Sequence, residues 1–195
     1  QICCGQRVTG VAYENDQIKG VTVNGQIHPA DKVILAAGSW SGQIEGLKIP
    51  VRPMKGQALA VEAPFVLTHT IHNEAGIIAP RRDGRILIGA TVEDAGFDKR
   101  STVEGVYGLL SSAMQFFPAL KDATILETWA GLRPRAIDDW PVLGPVAGYN
   151  GLYISTGHFR NGILLAPATT QLIVDWVFEQ TSTINVVCLS PNRFL

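Results

Sequence analysis

Lys32-Val33-Ile34-Leu35-Ala36-Ala37-Gly38 is a continuous apolar run that closes on small residues. A strand exposed on one face alternates apolar and polar residues, whereas a parallel strand covered on both faces reads as an unbroken apolar stretch. The run therefore predicts a buried parallel strand, and with it an α/β component in the fold.

Upstream of this run the pattern alternates and turns. Val8 to Tyr13, a break at Glu14-Asn15-Asp16, Ile18 to Val23, and Asn24-Gly25 before Gln26 to His28 read as a small β-meander. An Asn-Gly pair between alternating apolar residues marks a tight hairpin, because the turn needs positive φ at both central positions. Downstream, Val51 to Val61 and Gly76 to Val92 again look like strands, with Asp83-Gly84 turning between Ile78-Ala79-Pro80 and Ile86-Leu87-Ile88. This stretch predicts an antiparallel sheet. Val103, Val106, Tyr107, Leu110, Met114 and Phe117 recur at helical spacing, Ser101-Thr102-Val103-Glu104 has the form of a capping box, and Pro118 is a stop signal. Ile125 to Leu132 and Gly151 to Thr156 read as further strands, Gly162 to Phe178 as a helix, and Thr183 to Leu195 as irregular. The mixed α/β pattern thus has a buried parallel zone at Lys32 to Gly38 and again near Leu152 to Phe178. An antiparallel zone lies between them, from Val51 to Arg133, so the chain is expected to leave one domain and return to it.

With 195 residues, 46% hydrophobic and 17% charged, the chain can bury a real core. A formal net charge of -1 offers no broad cationic field for nucleic acid or an anionic membrane, which directs attention to a small ligand. Cys3, Cys4 and Cys188 have no C-x-x-C spacing and fit a reducing, cytoplasmic compartment. The most apolar stretch, Gly162 to Phe178, is interrupted by Pro167, Gln171 and Asp175, so no membrane span is expected. The opening Gln1-Ile2-Cys3-Cys4-Gly5 has neither an initiator methionine nor a signal-peptide pattern, and reads as a cut inside a longer protein.

No nucleophile elbow, zinc-protease motif, P-loop or dinucleotide fingerprint occurs. His69 and His72 are three apart but fall in loop or strand sequence, and no metal site is expected. Two segments are dense in residues that sites use. In Trp129-Ala130-Gly131-Leu132-Arg133-Pro134 an arginine follows an apolar strand, where its guanidinium fork could anchor a carboxylate. The same arginine also reads as a surface residue paired with Asp138 or Asp139. Thr156-Gly157-His158-Phe159-Arg160-Asn161-Gly162-Ile163 is a glycine-bounded loop leading into a helix, whose N-terminus favours an anionic or electron-rich guest. The plainer reading is an ordinary strand-to-helix turn.

The blocks Val51-Arg-Pro-Met-Lys-Gly-Gln57, Ala79-Pro-Arg-Arg-Asp-Gly-Arg-Ile-Leu-Ile-Gly-Ala-Thr91, Trp129 to Pro134 and Gly157-His-Phe-Arg-Asn-Gly-Ile-Leu-Leu-Ala-Pro-Ala-Thr169 resemble the glycine oxidase branch of the D-amino-acid oxidase family. Val33 to Trp40 is similar to the strand that ends against FAD in these enzymes. The resemblance implies a βαβ FAD-binding domain interrupted by an antiparallel substrate domain with a packed helix. Residues 1–48 and 135–195 would belong to the first, and residues 49–134 to the second. It implies oxidation of glycine or a similar small amino acid to the imino acid, hydrolysis to oxo acid and ammonia, and reoxidation of the flavin by O2 to give hydrogen peroxide, in some bacteria for thiazole synthesis in the thiamine pathway.

Carried over by position, Arg133 matches the arginine that binds the substrate carboxylate, and Arg160 matches a loop arginine beside substrate and flavin. His158, Phe159, Arg160, Asn161, Gly162, Ile163 and Leu164 match the loop and helix start around the isoalloxazine. Val8 falls where the family contacts the adenine end. No acid–base side chain is implied.

The chain departs from the family in two places. The family's dinucleotide fingerprint is not in the sequence, so the resemblance implies a preceding segment that cradles the pyrophosphate, and implies that this chain alone does not retain FAD. Where relatives carry Tyr-Ile-Val-Pro-Arg, this chain has Ile77-Ile78-Ala79-Pro80-Arg81, and Ile77 cannot donate a hydrogen bond. An amino-acid dehydrogenase with another electron acceptor, or a non-catalytic subunit, are the alternative readings, and assembly with copies of itself is left open.

Overall fold

The computed structural model describes residues 1–73, 76–181, 184 and 186–194. The chain divides into two compact units, one made of Gln1–Pro53 and Arg133–Leu195, the other of Met54–Leu132.

In the first unit, strands β1 (Val8–Glu14), β2 (Gln17–Val23) and β3 (Gln26–Pro29) form an antiparallel meander in the order β1-β2-β3. Asn15 and Asp16 take φ of 49° and 62°, and Asn24 and Gly25 take 51° and 77°, so both tight turns have positive φ at their two central residues. Strand β4 (Val33–Leu35) is the core of the opening apolar run; its neighbours in the fold come from the far end of the chain, β10 (Val142–Pro145) and β11 (Leu152–Thr156), in the order β10-β11-β4. β4 pairs with β11 in parallel, Val33 opposite Leu152 and Leu35 opposite Ile154, as expected, but Val33 and Leu35 are buried while Ile34 between them is 49% exposed, so this chain covers one face of β4 and not both. Strand β10 was not legible in the sequence, because Pro141 and Pro145 bracket it and its φ is interrupted at Gly144. Ile18, Val33, Leu35, Ile44, Ile49, Val142, Leu152 and Ile154 form one buried cluster behind these strands. Each such side chain stabilises the fold by about 1.5–3 kcal/mol relative to exposure.

The second unit is built on a five-stranded sheet in the order β6-β7-β8-β5-β9, from β5 (Val51–Glu62), β6 (Ile71–Asn73), β7 (Gly76–Pro80), β8 (Ile86–Gly89) and β9 (Thr124–Ala136). The chain passes from one unit to the other within β5 and again within β9. Leu109 and Ala113 of helix α1 (Val103–Phe116) pack with Leu59, Val61, Ile78, Ile86 and Ile88 of the strands. The helix starts one residue later than the expected capping box: Thr102, not Ser101, is the N-cap, and its hydroxyl accepts from Gly105 N at 3.2 Å. The reason lies in the sheet. The fully buried Gln57 accepts from Thr102 N at 2.7 Å and donates to Thr102 Oγ1 at 3.0 Å and to Glu93 Oε1 at 2.8 Å, which pins Thr102 at the helix mouth. A Cβ at Gly105 would stand 2.2 Å from Gln57 Nε2, so only glycine leaves room for this arrangement. Lys55, 1% exposed, pairs with Glu93 at 3.4 Å.

Two boundaries differ from expectation. β8 ends at Gly89 rather than Val92, and β9 runs on past Leu132 through Arg133 to Ala136. Helix α2 (Gly162–Val177) returns to the first unit, burying Thr169, Leu172 and Ile173 at helical spacing; Pro167 lies in its second turn, where the carbonyl it leaves unpaired belongs to the exposed Ile163. Of the closing stretch, Thr183, Asn185 and Leu195 lie outside the described residues; Val187–Leu189 and Pro191–Phe194 are short 3-10 turns. Among the described residues, no helix is long and apolar enough to cross a membrane.

Candidate functional site

The candidate site grows from the parallel pair β4 and β11. Parallel neighbours end at the same edge of a sheet, and ligands of α/β sheets bind outside the carboxyl ends of the strands. Here Ala36-Ala37-Gly38 and Gly157-His158-Phe159 leave that edge together. The buried hydroxyls of Ser41 and Thr156 tie the two exits: Thr156 Oγ1 donates to Gly38 O at 3.0 Å, and Ser41 Oγ to Thr156 Oγ1 at 3.1 Å. Between them in sequence, Ser39 is buried and its Oγ has no hydrogen-bond partner. A buried hydroxyl is seldom left unpaired, and a bound polar group at this edge is one way to satisfy it.

On one side of the strand ends is an open groove of about 640 Å³, lined among others by Arg7, Val8, Ile34, Ala36, Ala37 and Trp40. Val8 therefore shares a groove with the end of β4. No residue of His158 to Leu164 lines it; the Thr156–Gly38 hydrogen bond is what links the two places.

On the other side, Gly157 takes φ of 77°, and an added Cβ would come within 3.2 Å of Val142 N. Only glycine makes this turn without strain. It delivers His158 into a short 3-10 turn, Phe159–Asn161, that runs directly into α2. Asn161 makes no side-chain cap bond, so its own side chain does not occupy the first N–H groups of α2. Ile163 and Leu164, in that first turn, are 95% and 80% exposed, an apolar face suited to a flat aromatic ring. The His158 imidazole turns away toward α2, with Nε2 3.1 Å from Thr169 Oγ1, and burial holds its pKa below the ordinary histidine value. It is neutral at pH 7, and its backbone is the part left to face a ligand.

Arg133 and Arg160 are brought toward each other by an antiparallel bridge between Arg135 and His158. Arg133 is half-buried; burial first, and then the positive charge of Arg160, pull its guanidinium below its usual pKa range. A cation short of water and close to a second cation gains from a carboxylate held between them. Asp139 accepts from Nε and Nη2 of Arg135, the latter at 2.8 Å, and Asp138 from Arg193 Nε at 2.7 Å. The guanidinium groups of Arg135 and Arg160 both lie over the Phe159 ring, their Cζ atoms 5.2 and 5.4 Å from its centroid. Ile77 stands on β7 in the second unit and is exposed.

Arg135 and Ser41 carry no site role in the sequence pattern, Asp139 figures there only as a partner for Arg133, and Thr156 only as the start of the glycine-bounded loop. For Arg135 a signal existed, since residues two apart on a strand share a face and Arg133 lies two positions away. For the serine–threonine tie, separated by 115 positions, there was none.

The FAD dependent oxidoreductase family, DAO, matches residues 1–176. The chain belongs to the DAO family. Among DAO relatives, glycine oxidase of Pseudomonas aeruginosa is 43% identical over 191 residues, covering 96% of this chain and 50% of that protein. The bifunctional protein ThiO/ThiG of Trichormus variabilis is 42% identical over 183 residues, covering 91% of this chain and 28% of its own length. The crystal structure of glycine oxidase from Geobacillus kaustophilus superposes with a TM-score of 0.90 at 32% identity, covering 97% of this chain and 52% of that one. The mixed α/β fold is thus that of the glycine oxidases, and the chain spans about half the length of those it matches. The orphaned Ser39 hydroxyl, the groove at Val8 and the apolar start of α2 fit the elongated, partly polar, partly aromatic cofactor from which the family takes its name.

Proposed function

We propose that this chain is the part of an FAD-dependent amino-acid oxidase that binds the substrate carboxylate and lines the flavin ring, and that the enzyme acts on glycine or a similarly small amino acid. The observation that carries this is the half-buried Arg133, with Arg160 close enough to depress its pKa, next to a helix start whose apolar first turn lies open. The glycine oxidase likeness supports the substrate class.

In this reading residues 1–48 and 135–195 belong to the FAD-binding domain, residues 49–134 form the substrate domain, and a preceding segment cradles the pyrophosphate. Val8 would touch the adenine end through its backbone. FAD, when bound, would supply the two-electron acceptor for the substrate Cα–H bond, with O2 as the final oxidant and hydrogen peroxide as its product. The chain's own residues do the rest. Arg133 grips the carboxylate with its fork and so fixes the position of the α-carbon. Arg160 and the N-terminus of α2 favour negative charge at the ring side. Ile163 and Leu164 would hold the ring and keep water from its face, with the His158 and Gly162 backbone beside it. No side chain of the set is placed to act as an acid or base, and water completes the chemistry by hydrolysing the imino acid to oxo acid and ammonia. The likeness to a ThiO/ThiG protein supports a role in supplying the imine for thiazole and hence thiamine synthesis, in the cytoplasm.

Glycine added to the FAD-loaded enzyme in air should yield one hydrogen peroxide per glycine oxidised, and under argon should bleach the flavin. Failure to bleach would sink the proposal; bleaching with dye reduction but no peroxide in air would make the enzyme a dehydrogenase instead.

A further inference from the structure

Phe159 holds a left-handed backbone, φ 51°. For a residue with a Cβ this costs about 1–2 kcal/mol and persists only where the surroundings over-determine it. Those surroundings are on either side of it. His158, the preceding residue, is bridged backbone to backbone to Arg135 in antiparallel sense. The Phe159 ring is then met by the guanidinium groups of both Arg135 and Arg160. A guanidinium within about 6 Å of an aromatic centroid is attracted by the ring's negative face. Two cations on one ring repel each other, however, and the arrangement holds because Asp139 neutralises one of them, clasping Arg135 through both Nε and Nη2. The Asp139 carboxyl is held below its usual range by that clasp, against an opposing effect of burial, with the charges of Arg135 and Arg52 adding to it. It therefore stays ionised at neutral pH.

Arg160 itself is exposed, and a free arginine side chain would have to give up most of its rotamer freedom on meeting a ligand. Stacked on Phe159, it has given up part of that freedom beforehand. We infer that Asp139, Arg135 and Phe159 are positioning residues for Arg160: Asp139 fixes Arg135, Arg135 and its bridge fix Phe159, and the Phe159 ring presents the Arg160 guanidinium toward the substrate carboxylate. None of the three touches substrate in this scheme. The inference rests on the reading of Arg160 as a substrate-side arginine, and it assigns carboxylate affinity to Asp139 and Arg135, outside that reading's contact set, and to Phe159 of the flavin-side loop.

The test uses the FAD-loaded enzyme and acetate as a plain carboxylate, with binding followed by the change in flavin absorbance and glycine KM and kcat measured in parallel. Arg135→Gln and Asp139→Asn should each weaken acetate binding and raise glycine KM by about tenfold, with kcat changed less than about twofold; Phe159→Leu should weaken acetate binding by a similar factor, and Phe159→Tyr, which keeps the ring, should restore it. In an Arg160→Met background, Phe159→Leu should have no further effect, because its influence passes through Arg160. If Arg160→Met leaves acetate affinity and glycine KM unchanged, the functional reading of Arg160 fails, and this inference with it. If Arg160→Met weakens both but the Phe159, Arg135 and Asp139 variants do not, or if Phe159→Leu adds its full effect on top of Arg160→Met, the positioning role is overturned while the functional reading stands. A structural defect alone would lower kcat and thermal stability without the rescue by tyrosine.

Discussion

Arg135 and His158 face each other across an antiparallel bridge, and two residues outward from it on the two segments stand Arg133 and Arg160. A strand end and a loop separated by more than twenty residues are thereby held in one register. The register depends on the turn at Gly157, so the integrity of that turn is the first thing to perturb.

Gly157→Ala should destabilise the chain by about 1–3 kcal/mol, since the new Cβ combines a left-handed backbone with contacts of 3.2 Å to Val142 N and Cγ2. Thermal unfolding should show Tm lower by several degrees. An unchanged Tm would mean that the turn relaxes without cost, and that the register owes little to Gly157.

Gln57 is the keystone of the second unit. Gln57→Leu removes the acceptor of Thr102 N at the mouth of α1 and one of the donors to Glu93 Oε1, which keeps Thr91 and Lys55. A loss of about 2–3 kcal/mol is expected in urea unfolding. A loss below about 0.5 kcal/mol would show that water replaces the amide freely.

The parts of this architecture that follow from local pattern were legible in the sequence. The apolar run at Lys32 to Gly38 announces a parallel strand, the two tight turns of the meander announce themselves through Asn15-Asp16 and Asn24-Gly25, and the stripe from Val103 to Phe117 announces α1. The exact helix start was not, because a glutamine forty-five positions earlier decides it. In the candidate site the same division holds. That Arg133 ends an apolar stretch and that Arg160 precedes a helix can be read from the chain. Their mutual electrostatic influence, the clasp of Arg135 by Asp139 and the tie from Ser41 through Thr156 to Gly38 are products of long-range folding that no local spacing encodes.

His158 gives the stability a pH dependence of definite sign. Burial lowers its pKa in the folded chain below the ordinary 6.5, so the unfolded chain binds the proton more readily. The contribution is fully present above pH 6.5 and is lost as pH falls from there through the folded-state pKa. Unfolding free energies measured between pH 8 and pH 5 should decline on the acid side, and His158→Gln should flatten that decline. A decline equally steep in His158→Gln would assign it to other groups.

Anchoring of the substrate carboxylate by Arg133 is tested most directly by the kinetics of Arg133→Met in the FAD-loaded enzyme. Loss of a charge-assisted, bidentate contact in a half-buried place should lower kcat/KM for glycine by at least about a hundredfold, equivalent to roughly 2.7 kcal/mol of transition-state stabilisation. Amines without a carboxylate should be turned over nearly as before, and Arg133→Lys should recover only part of the loss because an ammonium lacks the fork. Glycine turnover by Arg133→Met at near-parental kcat/KM, with FAD still bound, would contradict the account.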